Sequence, residues 1–230
     1  NAEKETANLA RAFEEHTLRT IKSMDQTALF LKYQYEKEGM AMSIPQYINE
    51  GRILNQNLVL LSIIGEKGDL LLSSQVPFIP SNIMDREHFL VHKTADTQQL
   101  FISKPVLGRS SGKWSIQMTR RINQPDGSFG GVVVVSVNPF YFTEFYRQMN
   151  LGEGSVIALA GKDRIIRARQ AGEDASIGQD VGEPFSMRIV EREMGSFVGL
   201  GGVDQVKRVY SYRTLKEYPL VVAVGVAEKA

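Results

Sequence analysis

The chain has 230 residues and 43% hydrophobic content, enough to bury a sizeable core as one large domain or two small ones. Its 27 basic and 26 acidic residues leave a net charge of +1, so no basic excess marks a nucleic-acid or membrane-surface partner. The lack of cysteine excludes disulfides, thiolate metal sites and a cysteine nucleophile, and suits an oxidising compartment.

From about Glu3 to Glu38 there is no Gly or Pro, and Ala10, Phe13, Thr17, Ile21, Met24, Ala28, Leu31 and Tyr35 recur at alternating spacings of three and four. That pattern predicts one amphipathic helix with Glu14, Arg19, Lys22 and Asp25 off the apolar face. At ~1.5 Å per residue it would run ~50 Å, longer than one small domain needs, so it can brace a second domain or pair with its twin in a homodimer. Gly39 ends it, and Ser43 with Pro45 start a short helix as N-cap and first-turn proline. Leu58–Ile64 and Asp69–Ser74 read as a hairpin over Gly65-Glu66-Lys67-Gly68. A helix is expected from about Asp85 to His92, then a hairpin of Trp114–Ile122 and Ser128–Val137 over Gln124-Pro125-Asp126-Gly127, where Pro and Gly stand as turn chemistry requires. Asn138-Pro139 caps and begins a helix to about Gln148.

After Asn150 the grammar repeats in shorter form. A hairpin of Ser155–Ala160 and Arg164–Arg169 is followed by a helix over Pro184–Glu193 and strands at Ser196–Val198, Val206–Leu215 and Leu220–Val226. Arg164, Arg167 and Arg169 read as edge or surface charges, and Gly199-Leu200-Gly201-Gly202 as a hairpin turn with no helix after it to cradle a phosphate. The longest apolar runs, 58–64 and 132–137, fall far short of the ~20 residues of a bilayer span and are expected to be buried strands.

Enzyme motifs fail on spacing. Gly108-Arg109-Ser110-Ser111-Gly112-Lys113-Trp114 has three residues between its glycines instead of four, and Trp where a phosphate loop needs Ser or Thr. His88 and His92 lie four apart, but Phe89 stands where a zinc protease needs Glu, so no metal site is expected. With three histidines and no G-x-S-x-G elbow, no catalytic residue is assigned and no cofactor is implied. Trp114, Ile116 and Met118 share one strand face, and Ser115, Gln117 and Thr119 the other. Periodicity alone leaves open which face lines a cavity.

The order D-R-E-H-F (Asp85–Phe89), F-I-S-K-P-V (Phe101–Val106), G-R-S-S-G-K-W-S-I (Gly108–Ile116) and P-D-G-S-F-G-G-V-V-V-V-S-V-N-P-F-Y-F (Pro125–Phe142) resembles the double Cache (PDC) family of extracytoplasmic sensor modules of bacterial transmembrane signalling proteins. The resemblance implies an α+β chain of two tandem PAS-like antiparallel sheets along a long N-terminal helix. That helix would take residues 1–40, a membrane-distal ligand-binding domain 41–150, and a membrane-proximal domain 151–230 that transmits and does not bind. R-R-I-N-x-P-D-G-x-F-G-G and S-Y-R-T-L-x-x-Y-P-L resemble sensors attached to diguanylate cyclases of the GGDEF class, histidine kinases and chemoreceptors being the other outputs. The fragment would be periplasmic, and joined to the inner membrane only through excised flanking helices.

Amino-acid sensors of this family carry Arg-x-Trp-Tyr where this chain has Arg86-Glu87-His88-Phe89. Arg86 therefore has two readings, a carboxylate clamp or a helix-end partner of Asp85 or Glu87, and Phe89 reads as core. Ser136 stands where the family places an ammonium-binding Asp, and a hydroxyl cannot offset a buried ammonium. A small carboxylate or other polar anion is therefore expected in place of an amino acid, with Arg86, His88, Phe89, Ser103, Lys104, Trp114 and Ser136 as candidate ligand-binding residues. Arg109 is a further cation of the same region, with a solvated loop charge as its bland reading. The alternative role is a ligand-free dimerisation or docking module whose distal sheet is filled by its own side chains.

Overall fold

In the computed structural model, which describes residues 1–54 and 56–227, the chain forms an α+β architecture of one long helix and two six-stranded antiparallel sheets. Helix α1 (Ala2–Glu38) is as long as its unbroken apolar stripe, and stops where Gly39 takes a left-handed φ of 59°. Its first part, to Thr20, clusters with residues 139–230, and the remainder with the segment up to Asn138.

The unit of residues 21–138 contains α2 (Ile44–Asn49), capped by Ser43 Oγ accepting from the Gln46 amide. It continues through β1 (Leu58–Gly65), β2 (Leu70–Ser73), α3 (Glu87–Thr94), β3 (Phe101–Ile102), β4 (Val106–Leu107), β5 (Trp114–Asn123) and β6 (Phe129–Val137). The strand order is β2-β1-β6-β5-β3, with β4 paired to the start of β5. β1 and β6 run almost wholly buried in the centre, which accounts for their nearly continuous apolar sequences. At Gly131, whose φ is 124°, a Cβ would stand 1.9 Å from the Ile64 carbonyl oxygen, so only glycine lets these strands close at that point.

The two faces of this sheet carry different work. Arg120 of β5 donates to Asp25 of α1 at 2.6 and 2.8 Å, which puts α1 on the side of the even-numbered β5 residues, where Ile116 and Met118 are fully buried. Thr119 bonds His88 and His92 of α3, so Ser115, Gln117 and Thr119 face the inserted helix. The core under α3 is Phe89 against Ile64, Leu70, Ile83, Val132 and Val134, with Phe129 edge-on to Phe89 at 5.4 Å.

The unit of residues 1–20 and 139–230 begins after the strand, because α4 (Phe140–Thr143) buries Phe142 and packs on the second sheet, ahead of the expected division near Asn150. α5 (Phe145–Met149) follows and ends on Asn150 in the left-handed region, φ 44°. β7 (Val156–Gly161), β8 (Ile166–Ala171), β9 (Asp174–Ser176), α6 (Glu183–Glu191), β10 (Met194–Leu200), β11 (Lys207–Thr214) and β12 (Leu220–Ala227) complete it, in the order β10-β11-β12-β7-β8-β9. β11 shows the same division of faces as β5. Ser211 and Arg213 bond Thr6 and Glu14 of α1, while Tyr212 turns the other way onto Phe185, Ile189 and Phe197.

Two sequence expectations are corrected in this unit. Arg167 and Arg169, expected at the edge or surface, are 5% and 3% exposed. Arg167 pairs with Asp163 at 2.5 Å, and Arg169 bridges Asp174 at 2.8 Å and Asp204 at 2.5 Å. The acids that make burial of these guanidiniums tolerable lie up to 35 residues away in sequence.

Candidate functional site

α3 begins at Arg86, whose backbone is still extended and whose side chain leaves the helix end unbonded by any cap. The guanidinium reaches sideways, donating from Nη2 to the Leu107 carbonyl at 3.0 Å. Among the described residues it meets no carboxylate within ion-pair distance, so the helix-end pairing with Asp85 or Glu87 does not form. Asp85 pairs instead with Arg109, through Nη1 at 2.5 Å and Nη2 at 2.8 Å, while Nη1 also donates to the Asn82 carbonyl at 2.9 Å. The fork holds the Asp85 carboxyl down at about 2, well below the usual carboxylate range. Arg109 thereby straps the loop Gly108–Gly112 across the open side of α3.

Beneath that loop lies a hollow of about 50 Å³, walled by Leu60 and Ser62 of β1, Gln117 of β5, Val134 and Ser136 of β6, and Arg86 and His88. Its floor is a polar chain. Ser136 and Gln117 are register partners, and Ser136 Oγ donates to Gln117 Oε1 at 2.5 Å. Gln117 Nε2 passes a hydrogen bond to Ser115 Oγ at 2.6 Å, its backbone N–H donates to Ser103 Oγ at 2.9 Å, and Ser103 Oγ donates to the Lys104 carbonyl at 2.7 Å.

Both histidines of α3 are buried. Thr119 gives its one hydroxyl proton to the His88 carbonyl at 3.3 Å, so the 2.8 Å contact from His92 Nε2 must be a donation, which fixes the Nε2–H tautomer. Burial, aided by the charges of Arg86, His92 and Arg109, pulls His88 down to about 4; burial together with Arg121 and Arg120 does the same to His92. Both are neutral at pH 7, leaving Arg86 as the cation of the hollow without an acidic partner. No cluster of His and acidic side chains among the described residues is arranged to hold a metal.

Of the residues singled out in the sequence, Arg86, His88 and Ser136 meet at this hollow, Arg109 lines its rim paired to Asp85 instead of standing as a solvated loop charge, and the others stand elsewhere. Phe89 is core, as its bland reading had it. Ser103 lies one layer back, buried, and supports Gln117. Lys104 is exposed. Trp114 is 56% exposed and shares the α1-side face of β5, so it is not part of the hollow's wall. Gln117 was missed. Its signal was present in the alternation Ser115, Gln117, Thr119 through a strand that is otherwise apolar on its opposite face, because small polar residues buried together must bond one another.

Residues 139–225 match a family model described as dCache_1_like, histidine kinase sensor domain. Among curated proteins, none matches the sequence significantly. Among solved structures, the chain is similar to the extracellular domain designated rpHK1S-Z16 and assigned to a histidine kinase, with 27% identity and a TM-score of 0.82 over 98% of this chain and 94% of that one. It also resembles the sensor domain of the V. cholerae histidine kinase DctB (14% identity, TM-score 0.62, 99% and 98% covered). The ligand-binding domain of the Campylobacter jejuni chemoreceptor Tlp3, solved with L-norvaline, gives 14% identity and a TM-score of 0.60 over 97% and 90%. The fold is that of the double Cache sensor domains. These three structures come from two histidine kinases and a chemoreceptor. No helix among the described residues is long and apolar enough to cross a membrane.

Proposed function

We propose that the chain is the extracytoplasmic input module of a bacterial transmembrane signalling protein, taking a small carboxylate in the hollow under α3. The observation that carries this reading is Arg86: a guanidinium without an acidic partner, facing the buried hydroxyl and amide of Ser136 and Gln117. A hollow of about 50 Å³ has room for a few non-hydrogen atoms, which suits formate, acetate or glycolate while the Gly108–Gly112 loop stays strapped down. A ligand of this kind would favour the strapped state over the open one by its difference in affinity, typically ~1–3 kcal/mol, and signal by shifting that population. The kinase names of its relatives favour a histidine kinase output over the diguanylate cyclase suggested by sequence flavour; a GGDEF domain encoded in the same gene would reverse that preference.

Thermal denaturation with short carboxylates tests the site. A true ligand at a hundred times its dissociation constant adds ~2.7 kcal/mol of stability. Arg86→Gln should weaken it by roughly 1.5–3 kcal/mol, the usual worth of a hydrogen bond to a charged group. If no short carboxylate raises Tm and Arg86→Gln has no effect, the first sheet is a self-filled docking module instead.

A further inference from the structure

The sheet expected only to transmit has a cavity far larger than the hollow under α3. It measures about 480 Å³ and lies between α6 and the face of the second sheet opposite α1, the position that α3 and its hollow occupy in the first sheet. Its lining differs in kind. Where the first sheet offers Gln117 and Ser136, the second offers Val156, Ala158, Ile166 and Ala223, with aromatic walls above them. Phe197 stacks on Tyr210 at 5.3 Å and 17°, and Phe185 closes on Phe197 at 5.9 Å. A volume of this size falls in the range that encloses small organic ligands, and flat rings prefer such walls.

The cations around the cavity are not equivalent. Arg169 and Arg208 are spent on Asp174 and Asp204, and Asp204 also fastens the rim loop by accepting from the Val206 amide at 3.1 Å. Arg188 of α6 is exposed, lies 4.4 Å above the Phe197 ring, and has no ion pair among the described residues. A guanidinium so held keeps its N–H edge for a planar anion. We propose that the second sheet is a ligand-binding site in its own right, taking an aromatic carboxylate of one or two rings, with the rings against Phe185 and Phe197 and the carboxylate on Arg188.

Calorimetric titration of the intact chain with 2-naphthoate and with 2-naphthamide tests this. The acid should bind about tenfold more tightly than the amide, the scale of one charge-assisted hydrogen bond. Arg188→Gln, a surface change that leaves the fold intact, should erase that preference and leave the amide's affinity unaltered. Ala158→Leu, which puts a larger side chain into the cavity, should abolish binding of both, whereas Gln117→Leu in the first sheet should change neither. Absence of binding by both compounds overturns the proposal, as does an acid preference that survives Arg188→Gln or binding that survives Ala158→Leu in a chain of unchanged Tm. Because the short-carboxylate response depends on Arg86 and this one on Arg188, either site can fail without the other.

Discussion

At the scale of single residues, the two α3 histidines do opposite work from a charged binding pair. Each is held near 4 in the fold against an ordinary value of 6.5. The unfolded chain therefore binds more protons than the folded one between those values, and stability must fall as pH falls through that window. The groups facing His88 are Arg86, Arg109 and His92, and those facing His92 are Arg120, Arg121 and Asp96, so burial is reinforced by cations on most sides. Each histidine should contribute a slope of about 1.4 kcal/mol per pH unit between roughly pH 6 and 4. The carboxylates act in a separate range, since Asp204, held at about 2 by Arg208, loses its contribution only as pH drops below its ordinary 3.8. Denaturant titrations of the wild type should show the loss already at pH 5. In the double variant His88→Asn with His92→Gln, whose Gln amide can still donate to Thr119, the pH 6 to 4 limb should flatten, and an unchanged slope would place the proton uptake on other groups.

At the scale of elements, the strap over the hollow is the loop Gly108–Gly112, closed on itself by the Gly108 and Gly112 amides and tied to the turn before α3 through Arg109 and Asp85. Asp85→Asn removes the ionic fork while leaving a side chain of the same shape. Amide exchange at Gly108 and Gly112 should then quicken relative to β6, and release of a bound carboxylate should speed up more than its association slows. Equal exchange rates in variant and wild type would show that the backbone bonds alone hold the loop. The hairpin strands β1, β2, β5 and β6 were legible in the sequence because their apolar patterns and their turns over Gly65–Gly68 and Gln124–Gly127 are local signals. Arg86, His88 and Ser136 were legible too, each through a position in a motif. The strap was not, since the Asp85–Arg109 pair spans 24 residues and nothing local marks it. The same cause hid the burial of Arg169, whose partner Asp204 is 35 residues away, and it hid the second cavity, whose walls come from β7, β8, α6, β10, β11 and β12.

At the scale of the whole molecule, α1 is not one structural part but two. Residues 21–38 serve the first sheet: Ile21, Met24, Ala28 and Leu31 are buried, Asp25 ties to Arg120, and Lys32 Nζ donates to the Arg121 carbonyl at 2.9 Å. Residues up to 20 serve the second, where Ala10 and Phe13 are fully buried, Phe13 stacks on Phe145 at 5.7 Å, and Thr6 bonds Ser211 at 2.7 Å. A fragment of residues 21–138 keeps its own contacts with α1 and should fold alone with near-UV ellipticity from the buried Tyr47 and Phe89. A fragment of residues 139–230 loses the helix that roofs β11 and exposes the face carrying Ser211 and Arg213, so it should bind a hydrophobic dye and unfold without a cooperative transition. In the intact chain, Phe13→Ala should cost about 3–5 kcal/mol, the usual cost of emptying a buried aromatic site. That loss should appear in hydrogen exchange of β11 and β12 and not in β1 or β6; uniform loss across both sheets would mean that the two units unfold as one.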